Sequence, residues 1–71
     1  MENFNESIAE ILEVESVEND SELASFDAWD SLTILSIIAF CYSNYDAAVS
    51  AEDVKNSETI LDLKKLVESK M

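Results

Sequence analysis

Trp29-Asp30-Ser31-Leu32-Thr33-Ile34-Leu35-Ser36-Ile37-Ile38-Ala39-Phe40-Cys41-Tyr42-Ser43-Asn44-Tyr45 is the most apolar stretch of this 71-residue chain, and after Asp30 it holds no charged residue. It reads as a helix with a marked start. The Asp30 side chain can accept hydrogen bonds from the unpaired amides of a first helical turn. Trp29, just before that cap, can pack on Ile34 at the fourth helical position, the arrangement of a hydrophobic staple. A turn of about 100° per residue brings Ile34, Ile38, Cys41 and Tyr45 into one stripe with Ile37 beside it, and these are the predicted core of the helix. Leu32, Ser36, Ala39 and Ser43 fall on the opposite face.

On either side of this helix the apolar residues again recur at helical rather than strand spacing. Residues 5–13 form an amphipathic segment with Phe4, Ile8, Ile11 and Leu12 on one face and Glu6, Glu10 and Glu13 on the other. A long connection, residues 15–29, is rich in acids and serines. It also holds Val17, Leu23 and Phe26, which are expected to pin it onto the core, because a fully solvated loop of that length is uncommon. Beyond the central helix, Ser50 with Asp53 three residues on, and Val49 with Val54, mark the start of a short third helix ending near Asn56. Thr59 with Asp62 opens a last helix that carries Ile60, Leu63, Leu66 and Val67 on one face. Lys64, Lys65 and Lys70 lie toward its C-terminus, where the helix dipole favours cations. Gly and Pro are both absent, so every turn must be made by Asn, Asp, Ser or Ala. The expected architecture is all-α: four helices in residues 1–71, the third short, with one long first loop, in a single domain.

Sixteen acids against four lysines, with no Arg or His, give a formal charge of −12. Nucleic acid is excluded as a partner, since binding it needs cations that release counterions from phosphates. The charge either steers the chain to a basic protein surface or serves solubility alone. The nearly apolar run of residues 32–42 is far too short to span a bilayer, so no membrane association is expected. The chain opens on acidic sequence without the basic and apolar regions of a signal peptide, and its single Cys41 cannot form an internal disulfide; a reducing, cytoplasmic location is the expectation.

Chemistry of its own is hard to place in this sequence. No His is present for acid and base work, and Cys41, on the core stripe with no base near it in sequence, reads as a small buried hydrophobe. Asp20, Glu22, Asp27 and Asp30 lack the spacing and the Gly of a calcium loop. Trp29 reads as a staple before it reads as a recognition residue. Ser31 differs by position. The first residue of a helix directs its hydroxyl to solvent beside unpaired amides and the positive end of the dipole, which suits a phosphate ester on that oxygen.

The run Phe26-Asp27-Ala28-Trp29-Asp30-Ser31-Leu32, the long apolar helix after it, Ser50-Ala51-Glu52-Asp53-Val54 and Thr59-Ile60-Leu61-Asp62-Leu63 together resemble the acyl carrier protein family over nearly the whole chain. The resemblance implies that bundle fold. It also implies that a phosphopantetheinyl transferase moves 4′-phosphopantetheine from coenzyme A onto Ser31, and that acyl or aminoacyl groups then ride as thioesters on the arm. Asp30 matches the acid before the modified Ser, Leu32 the exposed apolar contact after it, and Leu35, Ser36 and Ala39 the positions that face partner enzymes. Those partners would be acyl- or aminoacyl-loading and transferring enzymes, and the carrier itself would be a monomer, not an enzyme and without a metal. Two departures qualify the match: Ala28 stands where the family often has Gly, and residues 31–45 lack the acids that many fatty-acid carriers bear. The pattern therefore resembles specialised carriers of polyketide, nonribosomal peptide or surface-polysaccharide pathways. The alternative is an acidic protein-interaction module of the same fold that is never modified.

Overall fold

Phe4, Ile8 and Leu12 recur at every fourth position, and all three are fully buried. In the computed structural model, which describes residues 3–71, they lie along α1 (Phe4–Ile11) and its C-terminal cap. The helix stops sooner than residues 5–13 suggest. Glu13 turns left-handed at φ 61°, its amide bonds to the Glu10 carbonyl at 3.1 Å, and the Val14 amide reaches the Ala9 carbonyl at 3.0 Å. That pair of bonds is a Schellman ending, with Glu in the place Gly usually takes.

The connection to the next helix is stitched down rather than solvated. Val17 and Leu23 are buried and Phe26 is packed against the core, as their apolar character demands. A single 3-10 turn, Leu23–Ser25, forms inside it. Its backbone also bonds to the start of the last helix: the Leu23 amide to the Glu58 carbonyl at 2.9 Å, Ile60 to Ser21 at 3.1 Å and Leu61 to Asn19 at 2.9 Å. The antiparallel bridge Glu22 to Thr59 in this seam is isolated, outside any strand. Asn19 adds a side-chain knot, its Oδ1 accepting from Asn5 Nδ2 at 3.0 Å and from Lys64 Nζ at 3.2 Å, so one loop residue ties the first helix to the last.

The remaining helices are α2 (Ser31–Tyr45), α3 (Ala51–Asn56) and α4 (Ile60–Lys70). Each begins on the expected cap. Asp30, Ser50 and Thr59 accept the amides of Thr33, Asp53 and Asp62, and in α4 the Asp62 carboxylate returns a bond to the Thr59 amide, which completes a capping box. Helix α2 packs on both α1 and α3. It ends at Asp46, left-handed at φ 54°, whose amide bonds to the Tyr42 carbonyl at 3.1 Å. Ile34, Ile37 and Cys41 are buried as expected, whereas Ile38 and Tyr45 are only partly so. Aromatic packing explains Tyr45: it meets the Phe40 ring edge-on at 5.5 Å and Phe4 at 6.1 Å, and Phe40 lies 6.3 Å from Phe4. Because the start of α1 meets the end of α2 while the turn after α1 meets residues just before α2, the two helices run antiparallel. The core is then closed by Ala47, Val49 and Val54, and by Ile60, Leu63 and Val67 of α4, with Leu66 partly buried beside them.

Candidate functional site

Asp30 is extended at φ −147°, ψ −176°, which aims its side chain back over the helix it caps. Its Oδ1 accepts the Thr33 amide at 2.9 Å, and its carbonyl accepts the Ile34 amide at 3.0 Å. The Thr33 hydroxyl donates in turn to the Ala28 carbonyl, and the Trp29 amide bonds to Phe26 at 3.0 Å, closing the turn that delivers the chain to the cap. Ser31 occupies the first helical position with its side chain exposed. With the next two amides of the turn bonded to Asp30, those of Ser31 and Leu32 are left as its outward donors. A tetrahedral anion on the Ser31 oxygen would meet these donors and the positive helix end, so the residues present fit a phosphodiester link.

Behind Ser31 lies an uncharged surface. Leu32 is 75 % exposed and Leu35 58 %, far above what large aliphatic side chains on a helix packed at both sides usually show. Ser36 and Ala39 are exposed as well, so the residues expected to face partners share solvent access on one helix. The Ser36 hydroxyl is already engaged, donating to the Leu32 carbonyl at 3.1 Å one turn back. Tyr42, 62 % exposed, continues the same stripe. Its place was signalled by the spacing 32, 35, 39, 42, although its phenol reads first as a polar substitute in an apolar helix. Thr33 is the other residue whose role sequence reasoning passed over. It stands where a capping box would put Glu or Gln, and its shorter side chain reaches the carbonyl of Ala28 instead of the cap amide.

No family model matches this chain, and no curated protein or solved structure matches it. Its site therefore rests on its own geometry.

Two clefts flank the turn before α2. One, of about 290 Å³, is lined by Trp29 together with Glu22, Ala24, Lys55 and residues 57–59. Trp29 is half-buried against the core and at the same time walls this cleft. The other, of about 330 Å³, is lined by Asp27 and Ala28 with Leu12, Glu13 and Val14. Cys41, by contrast, is fully buried among core residues, and desolvation pushes its thiol from 9.0 up to about 11. Such a thiol stays protonated and inert at neutral pH. Burial also raises the Tyr45 phenol, with Cys41 a second, smaller cause. Among the described residues no three His, Cys, Asp or Glu side chains gather as a metal site, and no helix is long and apolar enough to cross a membrane.

Chemically, the arrangement presents an exposed hydroxyl at the first position of a capped helix. Asp30, the adjoining carboxylate, is committed through one oxygen to the Thr33 amide, and the chain has no His to serve as base. A serine hydroxyl with no neighbouring base is a weak nucleophile.

Proposed function

We propose that this chain is a carrier protein of the acyl carrier type, in which Ser31 bears 4′-phosphopantetheine and the arm carries acyl or aminoacyl groups as thioesters. One observation carries the reading: an exposed serine at the first position of a firmly capped 15-residue helix, followed by an exposed, uncharged stripe. The all-α order of four helices, with the third short and the first loop long, accords with the carrier bundle. In the loading step the Ser31 oxygen bonds to a phosphorus of coenzyme A as the phosphoanhydride bond breaks. The nucleotide portion leaves, and the hydroxyl proton passes to a base on the transferase, since this chain supplies none. Asp30 orients the serine through the cap and presents a carboxylate beside it. Leu32, Leu35, Ser36 and Ala39 contact the partner enzymes. Once bound, the arm supplies the thiol on which a thioester forms. The uncharged face of α2 favours a specialised biosynthetic pathway over central fatty-acid synthesis, and a carrier loaded from coenzyme A would work in the cytoplasm, where coenzyme A is present.

Incubation with a phosphopantetheinyl transferase and coenzyme A, followed by intact mass measurement, tests this. The expected outcome is a gain of one phosphopantetheinyl group that Ser31→Ala abolishes. No gain, or a gain that persists in Ser31→Ala, overturns the proposal.

A second reading is an interaction module that never receives the arm, and the −12 charge beside an uncharged helix face favours it. The two readings part at Ser31→Ala, which leaves a pure interaction module fully active in binding.

A further inference from the structure

The peptide unit that joins Ala28 to Trp29 is held at both of its ends. Its carbonyl accepts the Thr33 hydroxyl, and its amide donates to the Phe26 carbonyl at 3.0 Å. Because a peptide unit is planar, fixing both ends fixes the orientation of the plane. Only the φ and ψ of Trp29 and Asp30 then separate that plane from Ser31. Thr33 restrains these as well, since its amide donates to Asp30 Oδ1 at 2.9 Å. One residue of α2 thus grips the chain on both sides of Trp29, through its hydroxyl at Ala28 and through its amide at Asp30. The grip is anchored in the core: Phe26 and Trp29 pack against it, Ile34 beside Thr33 is buried, and Thr33 and Ala28 are themselves partly buried.

We propose that Thr33 is a positioning residue for the modification of Ser31: its hydroxyl, acting through the Ala28–Trp29 peptide, sets the place from which the Ser31 oxygen meets coenzyme A on the transferase. This role rests on the carrier reading above. Pro can fix a turn by locking φ, and Gly can ease its path, but residues 26–30 contain neither, so here a side-chain bond supplies the restraint. Thr suits that task. Branching at Cβ leaves its χ1 few choices, so the hydroxyl keeps its aim with little entropy left to lose. A Glu or Gln at this position would bond the cap amide instead and release the Ala28 carbonyl. Thr33 does not touch the reacting atoms, and its effect is on orientation. A shift of about 1 Å in an attacking oxygen can slow a reaction by about 100-fold. The side chains proposed to meet the enzyme, Leu32 and Leu35 among them, stay where α2 puts them. Loss of the hydroxyl therefore falls on kcat and not on KM.

Thr33→Val keeps the branched shape and the amide bond to Asp30 but removes the hydroxyl, and Thr33→Ser restores it. With a phosphopantetheinyl transferase and coenzyme A, Thr33→Val should lower kcat for loading about tenfold at a KM within about twofold, and Thr33→Ser should recover most of the rate. Ser50→Ala removes the cap of α3 and leaves the turn before α2 intact, so it destabilises the fold comparably yet should load like the unaltered chain. Amide hydrogen exchange gives a readout that needs no enzyme. The Trp29 amide should exchange about fivefold faster in Thr33→Val, with the α4 interior unchanged, and should not do so in Ser50→Ala. Loading of Thr33→Val at the normal rate, or slowed only as much as that of Ser50→Ala, overturns the positioning role while the carrier reading stands. A raised KM at unchanged kcat overturns it too, since Thr33 would then meet the enzyme directly. If the unaltered chain accepts no arm, the carrier reading fails and the role in loading fails with it; faster Trp29 exchange in Thr33→Val would then mark the bond as structural alone.

Discussion

Glu13 and Asp46 adopt φ of 61° and 54°, a conformation that an L-residue other than Gly reaches at a cost, and both do so because a helix must end there in a chain without glycine. Glu13→Gly and Asp46→Gly should each raise stability by about 0.5–1 kcal/mol in urea unfolding, since the backbone strain disappears while the turn is kept. Glu13→Ala is the control, losing the charge but keeping the strained Cβ. If it stabilises as much as Gly, charge rather than backbone is responsible. Cys41 supplies a second expectation at this scale. With its thiol near 11 in the fold and lower when solvated, the unfolded chain releases the proton first as pH rises. The sign follows: stability is fully present below pH 9 and is lost between about 9 and 11 as the thiolate, which only the unfolded state solvates, becomes favoured. A thiol reagent at pH 8 should label Cys41 only after denaturant is added, and Cys41→Ala should flatten the alkaline loss. Rapid labelling of the native protein would show the core to be open there.

Helix starts are where side chains contribute most outside the core. Asp30→Ala removes the acceptor for the Thr33 amide and should cost about 1 kcal/mol, whereas Asp30→Asn, which keeps that oxygen, should stay within a few tenths. The pair separates capping from charge: if Asp30→Asn is stable yet poorly loaded by the transferase, the carboxylate itself is read by that enzyme. Thr59→Ala should cost a similar amount, because the reciprocal bonds between Thr59 and Asp62 fail together. The seam between the first loop and α4 makes a further claim about dynamics. The amides of Leu23, Ile60 and Leu61 are bonded across it, so their hydrogen exchange should be slowed together with the α4 interior. Exchange as fast as that of the exposed Glu15 and Ser16 would mean that the loop opens independently.

At the scale of the whole molecule the −12 charge works against a core of modest size. Like charges on a domain this small lie within about one Debye length of one another at low salt, and their repulsion is relieved by screening. The melting midpoint should therefore rise by several degrees between low and roughly 0.3 M NaCl, about what 1 kcal/mol is worth in a domain of this length. No rise would mean that the acids are spaced too widely to repel.

Sequence alone determined the four helices, their caps at Asp30, Ser50 and Thr59, the burial of Ile34, Ile37 and Cys41, and the prominence of Ser31, because these depend on periodicity and on bonds within one turn. Local rules carry no information about contacts between distant segments, and there the tertiary structure decided. It drew Leu23 and Asn19 onto the start of α4, ended α1 early through a left-handed Glu13, and turned Tyr45 toward Phe4 and Phe40 so that it is only partly buried. It also laid Glu13 beside Asp27 and left Tyr42 in line with Leu32 and Leu35, which makes the surface around Ser31 more than the helix that bears it. The reason is physical: a cap or a stripe is complete within a few residues, whereas a cleft needs two segments whose approach is set by the packing of the whole core.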